Sequence, residues 1–389
     1  MVYNIIVAFF YAVLVIVIIK QVLHVALSFG YNLKKIGSYS IDPMISIIVP
    51  AFNEERTIKK CIMSLLDLNY PTYEIIVIDD GSTDRTFEVV KTFNSPLINL
   101  VHQQNQGKPN ALNNGIRLSK GEIIVTVDAD TIVQQESLTR IANRFASDHQ
   151  IGAVAGNIKV IQASGLLNTL QSAEYTVGIN LNRKTQSMFG CVMVVPGPIA
   201  AMKKEAIQQV GLFSDDTFAE DFDVTMKLLK AGYKIEYEDR AIAYTDAPRN
   251  VEDLIKQRRR WYRGMFQVLD KHRGMYLRSK YGFAGMVGVP NLWFEATAPI
   301  INLALILLVL LSGLYVAETS ISLIGLSTYL GLDAVIGVIA LNLDPVTRLK
   351  DVVVVPLLSF YSIFLDGIRL MSFAEEMPDT IMVWETPKR

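Results

Sequence analysis

Glu74-Ile75-Ile76-Val77-Ile78-Asp79-Asp80-Gly81-Ser82-Thr83-Asp84 is the stretch that decides the fold. A short apolar run with no polar alternation suits a strand buried on both faces, and this one ends in an acidic, glycine-containing loop. The same shape occurs upstream in Ile45-Ser46-Ile47-Ile48-Val49-Pro50 and downstream in Ile98 to His102 and Glu122 to Val127, the last ending on Asp128. Between these strands the pattern predicts helices. One runs from about Thr57 to Leu66, a second carries Phe87, Val89 and Val90 with Ser82 or Thr83 as its cap, and a third starts near Lys108. Such alternation implies a mostly parallel, doubly wound sheet that binds ligands at the carboxyl ends of its strands. Asp79-Asp80 and Asp128-Ala129-Asp130 both fall at such ends. No G-x-G-x-x-G fingerprint is present, so a dinucleotide reading has no support.

The chain is too apolar for an ordinary soluble protein: 389 residues, 51% hydrophobic, with a mean hydropathy of +0.30. A net charge of -1 leaves no basic surplus for nucleic acid. Cys61 and Cys191 make no disulfide framework or metal-ligand spacing, and His24, His102, His149 and His272 are scattered singly, as surface or packing residues. Any metal is therefore a hard cation held by oxygen.

Val2 to Ile19 is uncharged and spans about 27 Å as a helix. No basic residue precedes it and no small-residue cleavage site follows, so it reads as a retained anchor and not a signal peptide. Ala296 to Ala317, Ile321 to Leu341 and Val352 to about Leu370 bring the expected spans to four. Lys20, Lys34, Lys35, Arg348 and Lys350 place the middle region in the cytoplasm by the positive-inside rule, with Glu375, Glu376 and Asp379 outside. The expected division is an N-terminal transmembrane helix (1–30), an α/β domain (43–250), an amphipathic interface region (251–285) and a C-terminal transmembrane region (286–389). In Val251 to Leu269 the apolar residues share one helical face and Arg and Lys the other, which suits a basic helix in the lipid interface.

The chemistry-bearing motifs come in a fixed order: Asp79-Asp80-Gly81-Ser82, Asp128-Ala129-Asp130, Glu220-Asp221 and Gln257-Arg258-Arg259-Arg260-Trp261. Together they resemble the membrane-embedded processive branch of the family 2 glycosyltransferases, which contains cellulose, chitin, hyaluronan and poly-N-acetylglucosamine synthases. The resemblance covers roughly Pro43 to Gly264 by motif, and the Q-x-x-R-W motif moves it from the broad family to this branch. It implies a GT-A fold of Rossmann-like type, with an α/β cytoplasmic domain and α-helical transmembrane segments in a multi-pass protein of the cell membrane. The implied activity is an inverting, metal-dependent, processive β-transfer from a UDP-sugar to the hydroxyl end of a growing polysaccharide, with export as a possible partner process. The rival is a single transfer to a lipid or lipid-linked acceptor. UDP-N-acetylglucosamine and UDP-glucose are the leading donors, and membrane lipids are the other partners.

By the same resemblance, Pro50, Asn53 and Glu55 line the nucleoside pocket, and Asp80 accepts from the uracil N3–H. Lys108 lies near the phosphates. Asp128 and Asp130 form the D-x-D motif for Mg2+ or Mn2+, with Asp130 the direct ligand and Asp128 nearer the ribose or metal. The bland alternatives are that Asp79 or Asp80 caps a helix and that Lys108 is an inconsequential loop lysine. Glu220-Asp221 resembles the T-E-D motif, with Ala219 replacing the threonine. Asp221 is then the general base, although the same pair suits a helix N-terminus. Gly197 and Pro198 resemble the loop shaping the acceptor site, and Gln257 and Trp261 the acceptor-binding part of Q-x-x-R-W. Arg260 pairs with the leaving diphosphate, while Arg258 and Arg259 are expected to snorkel to headgroups. Glu295, Asp333 and the Asp366/Arg369 pair either line a polar path for a polysaccharide or, for the last pair, neutralise each other.

Overall fold

The computed structural model describes residues 2–34, 37, 42–161, 165–312 and 319–376. A long helix, α1 (Val2–Leu33), leads into the sheet domain. There follow β1 (Ile45–Ala51), α2 (Ile58–Leu66), β2 (Tyr73–Asp80), α3 (Thr86–Lys91), β3 (Ile98–Gln103), α4 (Lys108–Leu118), β4 (Ile123–Thr126), β5 (Ile132–Val133), α5 (Ser137–Ser147) and β6 (Ile151–Val160). Then come α6 (Leu166–Glu174), α7 (Leu181–Ser187), β7 (Ala200–Lys203), α8 (Lys204–Gln209), α9 (Glu220–Lys230) and β8 (Lys234–Thr245). The remainder is helical: α10 (Val251–Lys271), α11 (Val289–Ser312), α12 (Thr319–Leu343), α13 (Leu349–Val353) and α14 (Val355–Glu376).

The described strands form one sheet in the order β3-β2-β1-β4-β7-β6-β8-β5. β3, β2, β1 and β4 run parallel, as do β6 and β8, while β7 runs antiparallel between β4 and β6. The mostly parallel sheet expected from the apolar runs is therefore present. β1 and β2 are buried almost throughout because both faces are covered, so they carry Ile and Val without alternation. On one face Ile45, Ile47 and Val49 pack with α2 and α5. On the other, Ile48 and Ile124 share a core with α4, α9 and α10, and with Tyr361, Leu365 and Ile368 of α14. The register pairs Ala51 with Asp79 and Ile48 with Thr126, so the loops after β1, β2 and β4 open on one edge.

Three expectations about detail give way. Ser82 and Thr83 do not cap α3. The N-cap position is Arg85, and Asp84 before it accepts from Thr86 N through Oδ1 at 2.9 Å, while Thr83 N donates to Asn53 Oδ1 at 2.8 Å. The basic face of α10 is not turned to solvent or headgroups. Arg258 is 2% exposed and bonded to Glu174, and Arg259 and Arg263 pair with Glu375 and Glu376 at 2.8 Å. Those two glutamates therefore lie beside α10; Asp379 lies outside the described residues. The span expected at Ala296 to Ala317 corresponds to α11 only as far as Ser312, with the rest outside the described residues. Among the described residues, Val15–Leu33 and Val355–Glu376 are long and apolar enough to cross a membrane.

The ends of the long helices are fastened to the sheet domain. At the end of α1, Tyr31 donates to Tyr237 O at 2.8 Å and accepts from Arg144, whose guanidinium is paired with Glu238 at 2.8 Å. Lys184 joins that end to the end of α12, reaching Asn32 Oδ1 at 2.8 Å and Leu343 O at 2.6 Å. Lys159 pairs with Asp344 at 2.6 Å, just beyond α12. Higher up, Lys20 pairs with Glu295, and Asp333 accepts from Gln21 and Ser359. These contacts clip α1 to α11 and α12 to α1 and α14.

Candidate active site

The carboxyl edge of the sheet gathers the acidic motifs around one lysine. Lys108 opens α4 after Gly107, whose φ of +86° only glycine adopts without strain. Its Nζ lies 2.7 Å from Asp128 Oδ1 and 3.3 Å from Glu220 Oε1. Burial by itself would pull the ammonium down, but Asp128, Glu220 and Asp221 push it well above the usual lysine range. Gly197 completes the cluster. Its N–H donates to Asp221 Oδ2 at 3.2 Å, and a Cβ there would meet Lys108 Nζ at 2.9 Å and Asp128 Oδ2 at 3.3 Å. The structure thus brings Lys108, Asp128, Gly197, Glu220 and Asp221 together from four separate segments. Pro198 follows Gly197 in a short helical turn.

Asp221 stands in the first turn of α9, beside Glu220 and Asp223. Burial and the neighbouring Glu220 raise its carboxyl to about 6, against the pull of Lys108 and the hydrogen bonds from Phe222 N and Gly197 N. A carboxylate that gains a proton near neutrality, yet is charged at pH 7, suits general-base work.

The two aspartates of D-x-D differ. Asp128 is half-buried and carries the Lys108 cation, whereas Asp130 is 6% exposed and its Oδ1 accepts from the hydroxyls of Thr131 and Thr245. Of the two, Asp128 offers the more accessible oxygen. Among the described residues no cluster of three or more His, Cys, Asp or Glu side chains could enclose a metal. The donor set still fits a hard cation that takes one or two carboxylates from protein and the rest from phosphate oxygens. The lysine ammonium on Asp128 shows that positive charge is accommodated there.

The expected nucleoside residues are placed differently from the simplest reading. Asp80 is buried, and it accepts from Gln103 Nε2 at 2.7 Å, Gln106 N at 3.0 Å and Gly107 N at 2.9 Å. These bonds fix the Asp80 carboxylate in place beside the loop that presents Lys108. Asn53 and Glu55 tie the first loop to the second: Asn53 N donates to Ser82 Oγ, and Glu55 Oε2 accepts from Arg85 N. Pro50, next to last in β1, is half-buried at the same edge.

Helix α10 borders this cluster. Its cap is Asn250, whose Oδ1 accepts from Asp253 N at 2.8 Å. Gln257, Arg260 and Trp261 lie at i, i+3 and i+4 on one face, all half-buried, and Gln257 Oε1 has no partner among the described residues. One face of the Trp261 indole is covered by the Arg258 guanidinium, 4.4 Å from the ring, and Tyr175 leans on it at 6.4 Å. The other side of Arg258 is held by Glu174 at 2.8 Å. Sequence reasoning did not single out Glu174 or Tyr175, because nothing in a lone glutamate and tyrosine marks them as the supports of a motif 84 residues away. It also passed over Asp223. Burial would raise that carboxyl, yet hydrogen bonds from His272, Lys271 and Lys227 hold it well below the usual carboxylate range and lock α9 to the end of α10.

Residues 46–211 match the profile of glycosyl transferase family 2, and residues 211–270 match that of a chitin synthase-like glycosyltransferase domain. The chain is 35% identical over 243 residues to a poly-beta-1,6-N-acetyl-D-glucosamine synthase of Staphylococcus aureus strain COL, covering 61% of this chain and 59% of that protein. Against the synthase of the same description in Staphylococcus epidermidis it is 35% identical over 227 residues, covering 58% and 55%. The match thus spans under two thirds of the length of these curated relatives. A solved mannosyltransferase from Pyrobaculum calidifontis, in complex with GDP-Man and Mn2+, superposes with a TM-score of 0.61 at 18% identity, covering 93% of this chain and 99% of that one. That likeness shows a shared GT-A fold.

Proposed function

We propose, with residues 46–211 belonging to glycosyl transferase family 2, that the chain is an inverting, processive β-glycosyltransferase that extends a polysaccharide at a membrane. The observation that carries the reading is the convergence of a half-buried carboxylate poised near 6 with a cation-bearing D-x-D, against a helix that presents Gln257, Arg260 and Trp261. The relatives named as poly-beta-1,6-N-acetyl-D-glucosamine synthases favour UDP-N-acetylglucosamine as donor. The donor, the acceptor chain and the surrounding lipid are the partners in this reading.

Asp221 takes the proton from the acceptor hydroxyl as its oxygen attacks the anomeric carbon. The bond from that carbon to the diphosphate oxygen breaks, and the electron pair leaves with UDP, so one displacement inverts the centre. Gly197 N–H orients the base through Oδ2, and the missing Cβ lets Lys108 and Asp128 close up against the backbone beside it. Lys108 and Arg260 supply positive charge to the leaving diphosphate. Asp128, with Asp130 behind it, would hold Mg2+ or Mn2+, which supplies Lewis-acid neutralisation of the diphosphate when bound. Trp261 offers its remaining indole face to the acceptor. With α1, α11 and α12 crossing the membrane, the sheet domain, to which their ends are tied, lies in the cytoplasm where UDP-sugars are made.

The test is purified full-length protein in lipid nanodiscs with labelled UDP-N-acetylglucosamine, followed by UDP release and product sizing. High-molecular-weight, labelled product is expected. UDP release with only a single sugar transferred to lipid would overturn processivity, and no release with any nucleotide sugar would overturn the enzyme reading.

A further inference from the structure

We infer that α14 lies in the membrane interface alongside α10 instead of crossing the bilayer, with its outward apolar face against phospholipid and its C-terminal end on the side of the catalytic domain. The inference rests on the membrane crossing of α1, α11 and α12 proposed above.

By length and composition α14 passes as a span: 22 residues, about 33 Å as a helix. Its contacts say otherwise. Just before it, Asp351 accepts from Ser172 of α6 at 3.1 Å. Tyr361 then donates to Glu174, the partner of Arg258. The Arg369 guanidinium lies 4.7 Å from the Tyr262 ring, and Phe373 lies 5.2 Å from Phe266. Glu375 pairs with Arg259, and Glu376 accepts from Arg263 and Gln267 at 2.8 and 2.7 Å. Residues 369 to 376 of α14 thus meet 259 to 267 of α10. The C-terminal end of α14 therefore lies against α10, so α14 can cross a bilayer only if α10 does.

Helix α10 cannot. It carries Arg258, Arg259, Arg260 and Arg263 within six positions, and Leu254, Val268 and Leu269 sit in the same core as Ile48 and Tyr237 of the sheet. The path of the chain agrees. α12 returns to the domain at Leu343 and Asp344, held by Lys184 and Lys159. Had α14 then crossed, Glu375 and Glu376 would stand roughly 30 Å from α10, the thickness of the hydrocarbon layer. They are in ion-pair contact with it instead.

The outward face settles what covers it. On α14, Leu357, Phe360, Phe364 and Met371 recur every three or four residues, except for one gap, and are exposed, Phe360 by 63%; Leu349 and Val353 on the preceding α13 are exposed too. On the inward face Val355, Leu365, Ile368 and Ser372 are buried. Apolar helices α11 and α12 adjoin α14, through Arg369 to Glu295 O and Ser359 to Asp333. The exposed stripe therefore continues the lipid-facing surface of those helices at its foot. A helix with one anchored face and one apolar face at that level sits at the headgroup–acyl boundary.

Two measurements on the full-length protein test this. Cys61 and Cys191 are buried, so Ala374→Cys near the end of α14 and Lys91→Cys on the domain surface can be labelled selectively. With a membrane-impermeant maleimide, both are expected to react only after the cell membrane is opened. Reaction of Ala374→Cys in intact cells with Lys91→Cys protected would overturn the inference. Reaction of Lys91→Cys in intact cells would instead overturn the orientation proposed for the domain, and Ala374→Cys would still have to share its behaviour. The second measurement places bimane at Phe360→Cys, or at Leu357→Cys should the first fail to fold, in liposomes carrying nitroxide lipids. Quenching strongest from nitroxides near the headgroup is expected. Quenching strongest from mid-bilayer nitroxides, or none from any depth, would refute the interfacial placement.

Discussion

The charge state of Asp221 gives the sharpest test of the site. Burial and Glu220 hold this carboxyl near 6, and the base form is needed for proton removal. Activity is therefore present above pH 6 and lost as pH falls through it. At pH 5 about a tenth of the carboxyl is ionised, so kcat/KM should fall about tenfold per unit below the midpoint. Glu220→Gln removes the adjacent like charge and should move the acid limb to lower pH by about one unit, the low end of what one close charge does. Asp221→Asn should cost ~10²–10⁴-fold and leave no limb of this origin. The assay is initial UDP release at sub-saturating donor between pH 4.5 and 8.5, pH values spanning about two units either side of the midpoint. An unmoved or upward-shifted limb in Glu220→Gln, or a normal limb in Asp221→Asn with intact protein, would refute the base assignment.

Asp128→Asn should abolish metal-dependent UDP binding, and Asp130→Ala should weaken it, as read by calorimetry across a Mn2+ titration. Equal affinity with and without metal in wild type would remove the cation from the account. Trp261→Ala should bind UDP normally yet yield short products on a sizing gel; polymer of full length would show that the indole only fills space beside Arg258. Arg258→Ala strands Glu174 without its ion-pair partner and should destabilise the fold by about 3–5 kcal/mol, with Arg258→Lys recovering part of it in a thermal melt.

How much of this was legible in the sequence depended on the range of the interaction. Strands buried on both faces announce themselves as Ile and Val runs, and the ends of β2 and β4 carry Asp79, Asp80 and Asp128 in full view. The antiparallel β7 and β5 were not legible, because four and two residues of ordinary sequence gain their pairing only from neighbours already in place. Periodicity also misled on α10. It reports which residues share a face, not what packs there, and Arg258, Arg259 and Arg263 read as a solvated stripe until Glu174, Glu375 and Glu376 arrive from distant segments. The same limit holds for α14, where hydropathy averages over a helix that is buried on one side and apolar on the other.

One pair of small residues shows how closely α10 governs the catalytic edge. A Cβ at Gly264 would meet Ala219 Cβ at 2.7 Å, Ala219 N at 2.9 Å and Phe218 C at 3.0 Å, so the helix passes almost in contact with the backbone that leads to Glu220. Local propensity and packing then predict opposite signs for Gly264→Ala. In a helix interior alanine is favoured over glycine by about 1 kcal/mol. Here the added methyl has backbone and not a flexible side-chain end to displace, and overpacking of that kind costs about 1–3 kcal/mol. The packing term wins, so the variant should melt lower than wild type. The displacement should also fall on the segment bearing Glu220 and Asp221, lowering kcat more than it raises KM for the donor, because Lys108 and Asp128 are held from elsewhere in the sheet. Thermal melts and donor-saturation kinetics on the purified protein read both effects. A raised melting temperature with unchanged kcat would mean that α10 and the segment before α9 move apart freely, and that their contact has no part in setting the base.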